Sequence, residues 1–164
     1  MKKKYVTKIL CLALLICAAV LTLPTYAGED SVVSNMEILR EKIAADKKLV
    51  VASNMNLTEE EAKAFWPVYD TYQKELYQIN QRLAKVIDDY ATAFNKGAVL
   101  NETATRLIDE VIAIEMAEAN LKRTYVPKLS AILPGAKVAR YLQIENKIRA
   151  IVRYELADAI PLVQ

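Results

Sequence analysis

The chain has 164 residues, which allows one domain with a core of ordinary size. Its 22 basic and 20 acidic residues leave a formal net charge of +2, and it contains no histidine. Because no basic block accompanies this small charge, the composition does not indicate a nucleic-acid-binding protein.

The first 27 residues have the three parts of a secretory signal peptide. Four lysines within the first eight residues precede an uninterrupted apolar run from Ile9 to Leu23, and Thr25-Tyr26-Ala27 places small residues at a cleavage site. The alternative is a transmembrane anchor, but at ~1.5 Å per residue this run is too short for the ~30 Å hydrocarbon core of a bilayer. The pattern therefore predicts export to the periplasm, cleavage after Ala27, and no stable membrane anchor thereafter.

Removal of residues 1–27 changes the chemistry of the remaining chain. Cys11 and Cys17 both lie in the apolar run, so residues 28–164 contain neither cysteine nor histidine. The loss of four lysines leaves 18 basic against 20 acidic residues, a net charge of −2. A lipid anchor would require a small residue before the cysteine, whereas Leu10 and Ile16 stand there. The exported chain cannot use a disulfide for stability.

Residues 28–164 are predicted to form one all-α domain of four helices. Glycine is scarce in them, and apolar residues recur every three or four positions throughout. Helix one is predicted from about Ser34 to Ser53, and the polar turn Asn54-Met55-Asn56 ends it. Its apolar face consists of Met36, Leu39, Ile43 and Val50.

Helix two is predicted from Thr58 to about Asn95, where Asn95-Lys96-Gly97 stops it. Thr58 is a good N-cap, and Glu61 completes a capping box. Apolar residues follow at alternating steps of three and four, which predicts packing along the whole helix against a long antiparallel partner or another subunit. These residues are Ala62, Phe65, Tyr69, Tyr72, Leu76, Ile79, Leu83, Val86, Tyr90 and Ala93.

Helix three is predicted from Asn101 to about Leu133, with two apolar stripes that indicate two neighbouring helices. One stripe consists of Leu107, Val111, Ile114, Leu121 and Tyr125, and the other of Ile108, Ile112, Ala119, Val126 and Leu129. Pro134-Gly135 then breaks the chain. Helix four follows to about Ala159, with Tyr141, Ile144, Ile148 and Ile151 on its apolar face.

Helices two and three are expected to form a long antiparallel αα-hairpin around Gly97. Each has an interior proline, Pro67 and Pro127, and folding back around residues 98–99 places the two prolines within one turn of the same level. Since proline removes an internal hydrogen bond and bends a helix, the pair predicts a hairpin that is bent as a unit. The alternative is that each proline only adapts its own helix to local packing.

The exported chain offers no residues for the common catalytic or metal-binding sites. Without histidine and cysteine, a metal site would need a carboxylate cluster, and the adjacent acidic pairs point to different sides of their helices. No serine lies in a G-x-S-x-G context, and there is neither a phosphate loop nor a dinucleotide-binding motif. We therefore expect no enzyme, no cofactor and no metal.

An aromatic group at the start of helix two includes two residues that lie off the apolar stripe. Trp66 and Tyr77 either pack against helix one or helix four, or face another protein. They are the candidate residues for contact with a client or partner.

Two helix junctions carry similar residues. Leu57-Thr58 with Glu61 opens helix two, and Leu133-Pro134 with Lys137 opens helix four. With its export signal and helical hairpin, the chain resembles the Spy/CpxP family of periplasmic proteins, whose junctions have the form Leu-Thr-x-x-Gln. Glu61 and Lys137 stand at the glutamine positions, and Pro134 stands at the second threonine position.

The resemblance implies a bent, cradle-shaped all-helical fold, usually an antiparallel homodimer, with a part in envelope stress or ATP-independent chaperoning. We therefore expect a protein that binds partly unfolded protein clients on an apolar concave surface. The alternative is a structural or adaptor subunit with one fixed protein partner. Suppression of the aggregation of unrelated proteins would distinguish these two functions.

Overall fold

A computed structural model describes residues 45–163, which form helices connected by short turns and contain no strand. The helices are α1 (residues 45–55, the described part), α2 (Glu59–Asn95), α3 (Asn101–Ser130) and α4 (Gly135–Ala159). The all-α prediction is confirmed. The signal peptide, both cysteines and the beginning of helix one, with Met36, Leu39 and Ile43, lie outside the described residues.

The buried face of α1 differs from the predicted one. Val50 was expected on the apolar face but is 44% exposed, whereas Val51 and Met55 are fully buried. Lys47 and Lys48 direct their ammonium groups to side chains of α2. Val51 lies four residues after Lys47, on the same face of α1, and therefore points into the core. The helix also continues past Ser53, and it ends before Asn56, whose φ of 49° is left-handed.

The start of α2 is fixed by the predicted capping box. The Thr58 hydroxyl accepts a hydrogen bond from the Glu61 amide at 3.2 Å, and the Thr58 amide donates to the Glu61 carboxylate at 2.8 Å. Most of the predicted heptad stripe is buried or half-buried. Ala84 and Ile87 are buried as well, although they do not belong to that stripe, because α2 has neighbours on two sides.

The prediction that the second apolar stripe of α3 is buried is wrong for four of its five residues. Leu129 is buried, but Ile108, Ile112, Ala119 and Val126 are exposed, because the second neighbour of α3 does not cover this side. The helix also ends at Ser130, and Ala131–Leu133 form a turn. On α4, the predicted apolar residue Ile151 is 66% exposed.

Side-chain contacts define the directions of the helices. Glu75 and Arg82 of α2 meet Tyr125 and Glu110 of α3, so these two helices are antiparallel. α4 runs antiparallel to α3 and parallel to α2, as the contacts of Lys122 with Asn146 and of Gln73 with Glu145 indicate. α1 packs against the first halves of α2 and α4, as the contacts of Lys47 with Gln73 and Glu145 and of Asn54 with Arg140 indicate. One end of the bundle therefore has four described helices and the other end has three.

The four-helix end contains an aromatic core. Phe65, Tyr69 and Tyr72 of α2 surround Tyr141 of α4 with ring centroids 5.2–6.0 Å apart, and Tyr125 of α3 meets Tyr72 at 5.1 Å. These rings meet at steep angles, with the positive edge of one toward the negative face of another. Aromatic side chains therefore join three of the four helices.

A polar network closes this core on the side of α1. The Glu145 carboxylate, 4% exposed, accepts hydrogen bonds from Lys47 Nζ and Gln73 Nε2, each at 2.8 Å. Lys47 Nζ also donates to Gln73 Oε1 at 2.8 Å, and Gln73 Nε2 donates to the Tyr141 hydroxyl at 3.2 Å. A buried charge is thus matched by an opposite charge and by neutral donors.

The aromatic core predicts cooperative unfolding at alkaline pH. Burial, together with the hydrogen bond to Glu75, raises the pKa of Tyr125 from 10.0 to about 12, and burial also raises the pKa values of Tyr69, Tyr72 and Tyr141. Because the folded chain holds these protons more tightly, its stability is complete below pH 10 and falls as the pH rises through 10 toward about 12. Helicity and tyrosinate absorbance, recorded in one titration, should change together there. Tyrosines that ionise while helicity is retained would contradict this expectation.

Candidate functional site

The three-helix end contains an open apolar groove of about 410 Å³. α2 forms its floor, and α3 and the end of α4 form its walls. The lining residues all have apolar side chains except Tyr90, whose hydroxyl already donates to the Pro161 carbonyl at 2.7 Å. They are Leu83, Val86, Ile87, Tyr90, Val99, Ala104, Leu107, Ile108, Val111, Ile112, Leu156, Ile160 and Val163.

An ion cluster holds α3 and α4 together next to the groove. Glu118, 4% exposed, contacts Lys122 at 3.0 Å, Arg149, and Arg153 at 3.6 Å, and Glu115 contacts Arg153 at 3.3 Å. Toward the end of α4 these charged contacts give way to Leu156 and Ile160, which line the groove. The residues of the cluster do not line the groove.

An exposed ridge of apolar side chains borders the groove on α3. Leu100, Ala104, Ile108, Ile112 and Met116 follow one another at intervals of four residues, the spacing that places side chains in one row on a helix. The four larger side chains of this ridge are all more than half exposed, from 51% for Ile112 to 69% for Leu100. Part of the predicted second stripe of α3 thus lies at the mouth of the groove.

Trp66 and Tyr77, the candidate contact residues, do not line this groove. Trp66 is half-buried at the four-helix end, where its ring contacts Phe65 and Tyr69 and the ammonium of Lys48 lies 5.1 Å from its centroid. Lys48 belongs to α1, so Trp66 contacts this helix, and contact of Trp66 with a client or partner stays a prediction. Tyr77 is half-buried further along α2.

The structure brings the two similar junctions together. Lys137 Nζ forms an ion pair with the Glu61 carboxylate and donates to the Asn56 carbonyl at 3.0 Å. Leu57 and Leu133 both pack in the aromatic core, and Pro134 precedes the first turn of α4. The two residues at the glutamine positions of the family motif therefore pair with each other.

This junction has a charge-dependent contact. The hydrogen bond from Lys137 holds the pKa of the Glu61 carboxyl below its usual value of 4.5, and the hydrogen bond from the Thr58 amide acts in the same direction. Glu61 therefore contributes to stability above its unfolded pKa and loses that contribution as the pH falls through the folded value. Glu61 thus serves two purposes, as a cap of α2 and as a partner for α4.

Pro67 and Pro127 both lie inside their helices on exposed positions. The Thr71 hydroxyl donates to the Pro67 carbonyl at 2.9 Å, and the Ala131 amide donates to the Pro127 carbonyl at 3.1 Å. The coordinated bend of the hairpin stays a prediction.

The described residues do not assemble the elements of a metal centre or a membrane span. Between residues 45 and 163, no group of three or more acidic, histidine or cysteine side chains is placed to hold a metal ion. In the same range, no helix combines the length and the apolar character needed to cross a bilayer.

Comparison with known proteins gave no relative: the chain matches no family model, no curated protein and no solved structure. The groove must therefore be interpreted from its own residues. Its walls join α3 to a segment near the end of the chain, and the sequence pattern of each part alone does not predict this meeting. The sequence signal for the groove is the second apolar stripe of α3, which predicts a buried face but lies partly at the mouth of the groove.

Proposed function

We propose that this is an exported helical protein that binds exposed apolar segments of other proteins and slows their aggregation without ATP. The observation that carries the proposal is the open groove with its exposed aliphatic ridge at the three-helix end. Export is proposed from the pattern of residues 1–27, and a relationship to the Spy/CpxP family from the junction residues. Membership of an envelope-stress response is part of the same proposal.

The chemistry of the groove suits weak binding of many clients. Burial of apolar surface contributes about 25 cal/mol per Å² and does not require directional groups. An apolar surface of this kind on one face of a protein is typical of an interaction site. Residues 28–164 also lack a phosphate-binding loop, which suits client binding that uses no nucleotide.

The second candidate function is an adaptor or structural subunit with one fixed protein partner. The observation that favours it is the confinement of the groove to one end of the bundle, which would suit a single complementary segment. An adaptor would leave unrelated aggregating proteins unaffected.

Light scattering of unrelated aggregating proteins tests the proposal. The purified chain from residue 28 should slow the aggregation of several heat-unfolded or reduced model proteins near equimolar ratio. Replacement Ile112→Ser at the mouth of the groove should weaken this effect, since it removes an exposed aliphatic side chain without disturbing the core. Ile151→Ser is the matched control because Ile151 is equally aliphatic, is 66% exposed, and does not line the groove.

Two outcomes would count against the proposal. If the wild-type chain leaves scattering unchanged for every model protein, the chaperone function is wrong and the adaptor function takes its place. If Ile112→Ser and Ile151→Ser weaken the effect equally, clients do not bind at the groove.

A further inference from the structure

The lining of the groove restricts the backbone conformation of what it binds. An extended peptide brings unpaired amide and carbonyl groups, and burying them without partners is unfavourable. The side chains of the groove can replace few of those partners, since the Tyr90 hydroxyl already donates to Pro161 and can only accept, and the other lining side chains are apolar. A helix satisfies its own backbone hydrogen bonds. The groove therefore favours a helical segment over an extended one.

The exposed ridge indicates the length of that segment. Leu100 and Met116 mark the ends of the ridge, and the 16 steps between them correspond to roughly 24 Å at ~1.5 Å per residue. A partner helix with aliphatic residues every three or four positions can place them between the ridge side chains and over the groove. About four turns of helix would cover this distance.

The charged residues around the groove indicate which charge the polar face of the partner helix should carry. Residues 101–121 of α3 contain five acidic residues and one basic residue, Arg106, which pairs with Asp89 of α2 at 3.2 Å. Glu110 pairs with Arg82, Glu115 with Arg153, and Glu118 with Lys122 and Arg149, whereas Glu102 and Asp109 are exposed. After Arg153, the chain carries Glu155 and Asp158 and no further basic residue. The exposed carboxylates Glu102, Asp109, Glu155 and Asp158 therefore give the helices that form the walls of the groove an excess of negative charge.

We propose that the groove binds cationic amphipathic helices, with an aliphatic stripe on the ridge and flanking lysine or arginine side chains near Glu102 and Asp109. This inference rests on the proposed function and names its class of client. Electrostatic attraction would select such segments among apolar ones and speed their association.

Three synthetic peptides of equal length and leucine content test the inference. The first has leucines at helical spacing with lysines between them, the second has glutamates in place of the lysines, and the third has the composition of the first in strict alternation. Binding is measured by the fluorescence anisotropy of labelled peptides added to the chain from residue 28, and the helicity of the bound peptide by circular dichroism. We expect the first peptide to bind as a helix, about tenfold more tightly than either of the others, a difference of ~1.4 kcal/mol.

Matched variants locate the binding. Asp109→Lys should weaken binding of the lysine peptide, since Asp109 follows the ridge residue Ile108 on α3. Asp88→Lys should not, since Asp88 is an exposed carboxylate of α2, which carries no part of the ridge. Added salt should reduce the affinity of the lysine peptide. Equal affinity for the lysine and glutamate peptides, equal affinity for the alternating peptide, or equal effects of the two aspartate variants would overturn the inference.

The two proposals fail in different ways. If aggregation is slowed but the peptides are not discriminated, the chaperone function survives and the client class is wrong. If the lysine helix binds but aggregation of the model proteins is unchanged, the groove has the inferred ligand and the general chaperone function is wrong.

Discussion

Replacement Tyr141→Ala should remove about 3–5 kcal/mol of folding free energy, the range found when a buried large aromatic side chain becomes alanine. Tyr141 is fully buried, and its ring contacts Phe65, Tyr69 and Tyr72 at centroid distances of 5.2–6.0 Å. Alanine leaves a cavity at the point where α4 meets α2. Since a domain commonly has only ~5–15 kcal/mol of stability, this variant should be partly unfolded or melt far below the wild type.

Tyr141→Phe is the control for this result. It keeps the ring and removes only the hydroxyl that accepts the 3.2 Å hydrogen bond from Gln73, so it should cost about 1 kcal/mol. Urea unfolding followed by circular dichroism measures both variants. If the alanine and phenylalanine variants are equally stable, Tyr141 is not a packed core residue and the aromatic core is wrongly assigned.

Replacement Lys47→Ala should have a comparable effect for an electrostatic reason. Lys47 is the positive partner of the Glu145 carboxylate at 2.8 Å, and Glu145 is 4% exposed. Removing one partner of a buried ion pair leaves an uncompensated buried charge, which typically costs about 3–5 kcal/mol. Gln73 still donates to Glu145, which places the expected loss toward the lower end of that range.

The neighbouring residue provides the matched control. Lys48 forms an ion pair with Asp70 at 2.6 Å and lies 5.1 Å from the centroid of the Trp66 ring, but its side chain is 42% exposed, so Lys48→Ala should cost only about 1 kcal/mol. The double variant Lys47→Met with Glu145→Leu should recover much of the loss, since it leaves no charge in the core. Equal unfolding free energies for Lys47→Ala and Lys48→Ala would show that the buried pair is not formed in solution.

Local sequence signals predicted the helices well where they were strong. The capping box at Thr58 and Glu61 located the start of α2, and the turn at Asn95-Lys96-Gly97 located its end. Both signals act through backbone groups within a few residues, so they do not depend on the rest of the fold. The long heptad stripe of α2 likewise predicted its buried face. One misleading residue changes a pattern of ten positions very little.

The faces of α1 and α3 could not be obtained in the same way. On α1, Val50 and Val51 are equally apolar, and the choice between them depends on Lys47, which reaches Glu145 on α4, and on Lys48, which reaches Asp70 on α2. On α3, the sequence shows two apolar stripes but not whether a helix covers each one. Which stripe remains exposed depends on where α4 lies, which is a property of the assembled bundle.

The residues of the candidate site were harder to predict than the helices, because tertiary contacts bring them together. Glu61 and Lys137 are 76 positions apart, so their pairing could not be inferred from either junction alone. The groove has walls from α3 and from residues after Leu156, which no local pattern connects. By contrast, the acidic character of residues 101–121 is visible in the sequence. It indicates a class of ligand only together with the exposure of Ile108 and Ile112 beside the groove, which the structure provides.

The four-helix end has a consequence for the order in which the chain folds. Contacts between α2 and α3 such as Arg82–Glu110 close a loop of 28 residues, whereas Lys47–Glu145 and Arg140–Asn54 join residues 98 and 86 positions apart. Closing the longer loops costs more chain entropy, and contacts of large sequence separation slow folding. The hydrophobic core of the four-helix end, which includes Val51 and Met55 of α1, is complete only when both α1 and α4 have docked. A chain whose synthesis has not yet reached Tyr141 can therefore form the hairpin of α2 and α3 but not this core.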